Sequence, residues 1–252
     1  DCAKKLRAGV NQARRAGVEV EMISEGVDES LKKETAELCL RWLGSRRSAT
    51  TFGWLVALDP FLHSEYKKYF AARVNGKLVG FLAASPIPAR RAWYLEDVLR
   101  EPDTPPGTST LLVFEALTKL KAKGVSLATL GTSPLATDGP NELPTDHPKS
   151  QRVLDMASRR LGSFYNFEGL RRFKAKFVPS WWESEYVLGQ RSVTMPPRVG
   201  HAIVRALVPG GLTQILTRQA LRVIRDSSPT LREGFSLQNV TKSLAPSSKV
   251  AK

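Results

Sequence analysis

Two cysteines, Cys2 and Cys39, are all the sequence offers, with no CxxC pair; neither a disulfide framework nor a zinc site is supported, and a reducing compartment is expected. His63, His147 and His201 are scattered with no HxxxH spacing, which argues against a histidine-based metal enzyme, so no metal ligands are assigned. No apolar run approaches the roughly 20 residues of a membrane span. Acidic residues are scarce: 24 against 38 Lys and Arg give a net charge of +14. That balance favours a polyanionic partner, either a nucleic acid or an anionic membrane surface.

What is present is ordinary globular material. The 252 residues are 42% hydrophobic and 25% charged, enough for one large domain or two small ones. The chain opens on Asp1 with a helix already under way and without a signal peptide, so it reads as a fragment whose preceding domain is missing.

Residues 3 to 16 place Leu6, Val10 and Ala13 on one helical stripe, with Gly17 as the stop. Residues 18 to 23 alternate as a half-buried strand. Asp28 caps a second helix whose buried face is expected from Leu31, Leu38, Leu40, Trp42 and Leu43. A strand is expected over 51 to 60 and a short helical piece over 59 to 66. Asn75-Gly76 between alternating runs at 69 to 74 and 77 to 85 signals a hairpin. A strand over 92 to 98 reaches Asp97. The helix over 110 to 123 presents Leu111, Phe114, Leu117 and Leu120, and Gly124 stops it. A strand over 126 to 130, a loop over 131 to 148, a helix over 149 to 161 and a last strand over 185 to 188 complete an α/β domain. Three segments follow: a domain over 1 to 190, an amphipathic helical extension over 191 to 226, and a tail over 227 to 252 that lacks periodicity and reads as disordered. From Met195 onward nine Lys/Arg stand against two Asp/Glu, so this part can lie on an anionic membrane or pack on the domain's own sheet.

The densest chemistry lies at 164 to 189, FYNFEGLRRFKAKFVPSWWESEYVLG. It holds six of the fifteen Phe and Tyr, two of the five Trp, and Arg171, Arg172, Lys174 and Lys176. A lone KxK would be a solvated face; interleaving with aromatic residues favours a held anion. Asp97 and Arg100 lie three apart at a strand end, where such sheets place ligand groups, although a salt bridge would explain that spacing equally well. In ATLGTSPLA, residues 128 to 136, Gly131 lets backbone approach a ligand closely.

Four stretches in order, KKLRAGVNQARRAG at 4 to 17, DVLR at 97 to 100, TLGTSPL at 129 to 135 and YNFEGLRRFKAKFVPSWWESEYVL at 165 to 188, resemble the C-terminal catalytic domain of the phosphatidylglycerol lysyl- and alanyltransferases, the multiple peptide resistance factor family. Its fungal relatives include ergosteryl aspartate and glycine synthases. The resemblance implies a GNAT-like mixed sheet flanked by helices, the second of a tandem pair. It implies a transferase using aminoacyl-tRNA as co-substrate, with no other cofactor, and a membrane lipid hydroxyl as acceptor. Localisation would be cytoplasmic and peripheral on the membrane, through the basic tail. By position, Asp97 would hold the α-amino group with Arg100 beside it, and Lys174 and Lys176 match the family's functional lysines. Arg171 and Arg172 match more loosely.

This chain departs from the family pattern at Thr129, Thr132, Ser133 and Glu185, all in stretches that would line the aminoacyl pocket, and in its doubled Trp181-Trp182. The pocket departures leave the amino acid open, while the doubled tryptophan, the PGG break in the tail and the absence of a membrane span lean the expected acceptor toward a sterol 3-hydroxyl over phosphatidylglycerol. Oxyanion stabilisation would fall to Lys174, Lys176 and backbone N–H groups near Gly131. Two rival readings stand beside this one. An acetyl-CoA-dependent N-acetyltransferase would need a pyrophosphate loop that PDTPPGTST at 102 to 110 does not resemble; the other rival is a non-catalytic RNA- or membrane-binding module.

Overall fold

The structure is a computed structural model that describes residues 2–23, 26–45, 59–133 and 166–183. Its elements run α1 (Cys2–Arg15), β1 (Glu19–Ile23), α2 (Glu29–Ser45), β2 (Lys68–Val74), β3 (Lys77–Ile87), β4 (Ala92–Arg100), α3 (Thr108–Ala122), β5 (Leu127–Thr129) and α4 (Phe167–Ala175). Short 3₁₀ turns cover Ser64–Tyr66 and Pro88–Arg90. The strand over 51 to 60, apart from residues 59 and 60, the helix over 149 to 161, the strand over 185 to 188, Glu185 and everything after it lie outside the described residues.

Five strands form one sheet in sequence order, β1 to β4 antiparallel and β5 parallel to β4. This mixed α/β sheet with helices on both faces is the GNAT-like class expected from sequence. Asn75 and Gly76 both take positive φ, 49° and 78°, and close the β2–β3 hairpin as their sequence requires. The strands alternate, and each face builds its own core. On one side Phe70, Leu82, Ala84 and Leu95 meet α1 and α3 through Val10, Ala13, Leu111, Leu112 and Leu120. On the other, Tyr69, Ala71, Phe81, Ala83 and Leu99 meet Leu31, Leu38 and Cys39 of α2. Burying side chains of this size contributes roughly 1.5–3 kcal/mol each before chain entropy is charged against it.

Asp28 caps α2 as expected, its Oδ1 accepting from the Leu31 N–H at 2.7 Å. The face of α2 differs from the expected one. Leu40 is 49% exposed, while Thr35 and Cys39 are buried, because Leu31, Thr35, Leu38 and Cys39 follow the 3.6-residue period and Leu40 does not. In α3 the fully buried side is Leu111, Leu112, Val113, Ala116 and Leu120, with Phe114 and Leu117 at its margin. Gly107, at φ 91°, lies so close to α1 that an added Cβ would meet the Gly9 carbonyl oxygen at 2.1 Å.

Candidate functional site

The sheet is interrupted where the site lies. β5 pairs with β4 only over Ala92–Tyr94, so β4 runs on from Leu95 to Arg100 without β5 beside it. Within that stretch Phe81 faces Leu99 while Ala83 faces Glu96, leaving Asp97 and Val98 opposite the single residue Leu82. This is a β-bulge, and its first residue, Asp97, takes the left-handed conformation at φ 49°. Aspartate tolerates that region better than most side chains.

Groups on α2 and on β4 itself sense the Asp97 charge. Burial first, then Glu96 and Asp59, raise its carboxyl from the ordinary 3.8 to about 6, while Lys67 opposes the shift. Burial raises the Cys39 thiol to about 11, with Asp97 adding to it, and burial, Glu96 and Asp97 raise the Tyr94 phenol. No hydrogen bond or ion pair reaches the Asp97 carboxylate among the described residues. Its neighbour Glu96 is well held: Lys67 Nζ lies 2.9 Å from Glu96 Oε1, and the Ser85 hydroxyl donates to the same oxygen. Lys67 also donates to the Pro60 carbonyl at 3.3 Å, which accepts from the Tyr69 hydroxyl at 3.1 Å as well. A cavity of about 310 Å³ opens between Ile23, Val27, Ser64, Glu65, Lys67 and Tyr69.

The turn after β5 closes over Tyr94. Gly131, at φ 70°, has its N–H bonded to Thr129 Oγ1 at 3.0 Å. A Cβ there would meet Tyr94 Cε2 at 2.6 Å, so glycine is required both by backbone conformation and by the approach of the ring. Thr132 is exposed, and its carbonyl accepts from Lys174 Nζ. The Ser133 hydroxyl is buried with no hydrogen-bond partner among the described residues. Leaving such a group unmet costs about 1–3 kcal/mol.

Asn166 starts α4, its side chain accepting from the Gly169 N–H at 2.7 Å. Phe173 and Phe177 dock the helix on the α3-side core, with ring centroids 5.4 Å apart. That docking buries Lys174 to 7% exposure, against the Gly131 turn. Lys176, half-buried, lies 5.7 Å from the Phe173 ring. Arg171 lies over Trp182 at 5.2 Å, and exposed Arg172 pairs with Glu168 at 3.2 Å. At the helix end Val178 takes φ 50°, a conformation that costs a β-branched residue about 1–3 kcal/mol.

The residues expected from sequence therefore fall into linked groups. Tyr94 touches Gly131, and Thr132 receives Lys174, so β4, the turn and α4 form one wall. Arg100 is turned away from it, donating to the carbonyls of Glu101 and Pro102 at 3.2 Å each; the salt bridge that its spacing from Asp97 allowed does not form among the described residues. Sequence reasoning missed Tyr94, Glu96, Lys67 and Ser85. Tyr94 and Glu96 were findable by their alternation along β4; nothing local marks Lys67 or Ser85. Among the described residues no group of His, Cys, Asp or Glu can hold a metal ion, and no helix is long and apolar enough to cross a membrane.

Comparison with known proteins places this wall in context. The sequence profile of the family described as phosphatidylglycerol lysyltransferase, C-terminal, matches residues 3–189. The C-terminal domain of a protein described as a lysylphosphatidylglycerol synthetase from Agrobacterium fabrum superposes with a TM-score of 0.53 at 22% identity, covering 72% of this chain and 52% of that one. L-PGS from Bacillus licheniformis gives 0.50 at 21% identity, covering 70% of this chain and 52% of that one. The chain thus spans about half the length of these solved relatives, and the likeness establishes a shared fold. A search of curated proteins gives no match.

Proposed function

The chain belongs to the family of the phosphatidylglycerol lysyltransferase C-terminal domain, and from that premise we propose that it moves an aminoacyl group from charged tRNA to a hydroxyl of phosphatidylglycerol. The observation that carries this reading is Asp97: a carboxylate on a bulge in the part of β4 that β5 does not pair, with no cation in contact among the described residues. With its carboxyl near 6, Asp97 is ionised at neutral pH and suited to receive the α-ammonium of an aminoacyl ester.

The reaction exchanges one ester for another. The lipid hydroxyl oxygen adds to the aminoacyl carbonyl carbon, a tetrahedral oxyanion forms, and the bond to the tRNA ribose oxygen breaks as that oxygen regains a proton. Little free energy separates reactant from product, so positioning and oxyanion stabilisation are what the protein has to supply. Asp97 fixes the amino end. Lys174, buried against the Thr132 carbonyl, holds the turn that carries the backbone N–H groups of residues 131 to 133, and it brings its own positive charge to that wall. Lys176, Arg171 and Arg172 add a basic face for the phosphates of a tRNA acceptor stem.

The family's description supports phosphatidylglycerol as acceptor over the sterol toward which the doubled tryptophan leaned. Acetyl-CoA is disfavoured by α3. A pyrophosphate would need the first turn of that helix open, yet Gly107 there lies against Gly9 of α1, and Thr108 and Thr110 are buried. The test is transfer of labelled lysine or alanine from charged tRNA into the organic phase, with vesicles containing either phosphatidylglycerol or ergosterol. Label in the phosphatidylglycerol lipid supports the proposal. Label in the sterol alone corrects the acceptor, and label in neither, with any charged tRNA, refutes it.

A further inference from the structure

The end of α4 carries a feature the transfer chemistry does not use. Val178 and Trp181 are 58% and 55% exposed, three residues apart, on either side of Pro179. Val178 holds a left-handed backbone although it is β-branched, and no packing in the core explains its side chain being held outward. Exposed basic residues reach the same segment. Arg90 and Arg91, from the turn between β3 and β4, are joined to this segment because Arg90 binds Glu183 at 2.9 Å. Glu183 is engaged by Arg90 and by the Trp181 indole N–H at 3.3 Å.

We infer that Val178 and Trp181 form an insertion point that seats the domain on an anionic phospholipid surface. An aliphatic and an indole side chain joined to the Arg90-Arg91 turn match the headgroup boundary, where tryptophan partitions and basic residues meet acidic lipid. Nucleic acid fits less well, because Val178 offers no ring on which a base could stack. The contact lies just after α4, the helix that contributes Lys174 to the site wall, so seating it would bring the acceptor lipid's own surface to the transfer site. The inference rests on the proposed lipid acceptor for its purpose, but it is read by binding alone.

The test places an environment-sensitive NBD fluorophore at position 178 through Val178→Cys in a Cys2→Ser background, since Cys2 is exposed and Cys39 is buried. On phosphatidylglycerol vesicles its emission should shift to the blue and rise at least about two-fold, with no change on phosphatidylcholine vesicles or with an RNA acceptor-stem minihelix. Trp181→Ser should lower partition onto phosphatidylglycerol vesicles about ten-fold. Arg91→Gln should lower it about five-fold, the effect of one basic residue near such a surface. No response to vesicles, a response to the minihelix alone, or emission already blue-shifted in vesicle-free solution, where a segment of the chain would be covering the patch, would each overturn the inference. Transfer to detergent-dispersed phosphatidylglycerol, measured in parallel, keeps that failure separate from failure of the proposed reaction.

Discussion

Asp97→Asn should make the protein more stable and nearly inactive at once. Burial and Glu96 raise the Asp97 carboxyl from 3.8 to about 6. At about 1.4 kcal/mol per pH unit, holding the ionised form in the fold costs at most about 3 kcal/mol, and solvent screening of this half-buried group reduces that to about 1–2 kcal/mol. The sign follows from linkage. Between pH 3.8 and about 6 the native state binds more protons at this site than the unfolded chain, so stability falls as pH rises through that window and stays at the lower value above it. Asparagine keeps the shape, removes the charge and tolerates the φ of 49°. Urea denaturation at pH 7.5 should therefore show the variant about 1–2 kcal/mol more stable than wild type, with the gap closing near pH 4. Transfer from aminoacyl-tRNA should fall about 100-fold or more, because no carboxylate remains to fix the ammonium. A variant less stable than wild type at pH 7.5, or a gap of the same size at both pH values, would show that the carboxylate is already satisfied within the fold, and the reading of Asp97 as a waiting anion would fail.

Gly131→Ala and Gly17→Ala share a positive φ, 70° and 76°, but only the first places a Cβ against Tyr94. Both should lose about 1–2 kcal/mol from backbone strain; Gly131→Ala should lose a further 1–3 kcal/mol or so from displacing the ring and about 100-fold in transfer, read by thermal melts and lipid labelling, whereas Gly17→Ala should retain transfer. Lys174→Met strips the Thr132 carbonyl of its buried donor and should destabilise by about 1–3 kcal/mol, with transfer lost. Lys176→Met, removing a half-buried lysine stacked near Phe173, should change stability by no more than about 1 kcal/mol, so the pair separates support of the turn from charge supplied to the substrate. Val178→Gly relieves the left-handed strain at φ 50° and should raise the melting temperature by about 2–4 °C for a net gain near 1 kcal/mol; an unchanged or lower melting temperature would mean that Val178 packs more than its exposure shows.

The parts of this fold that were legible in sequence are those with local causes. The hairpin follows from Asn75-Gly76, the cap of α2 from Asp28, and the span of α1 from its apolar stripe. Leu40 shows the limit of reading apolar identity without phase: it is exposed because the contact stripe passes through Thr35 and Cys39. The site was legible in its residue types and illegible in its construction. The motif placed Asp97 at a strand end, but the bulge that aims it depends on Leu82 of β3 facing two residues of β4, and register across strands leaves no mark in either strand alone. In the same way the partner of Lys174 lies 42 residues away in the chain.

The site divides its charges between two kinds of support, and that division suits an ester exchange. The acid sits in the sheet, on a bulge braced by Leu82 and flanked by the Lys67–Glu96 pair, where its position is fixed before any substrate arrives. The bases sit on α4, a nine-residue helix held to the domain by Phe173 and Phe177 and by Lys174 at the Thr132 carbonyl. An ammonium group needs one rigid anion, so the sheet is the right place for Asp97. The Gly131 turn, locked between Tyr94 and Lys174, couples β4 of the sheet to α4. Given that coupling, Tyr94→Ser, which opens the space that the added methyl group needs, should recover part of the stability lost in Gly131→Ala. The two substitutions would then be non-additive by about 1 kcal/mol or more in a double-mutant cycle. Strict additivity would separate the turn from the sheet.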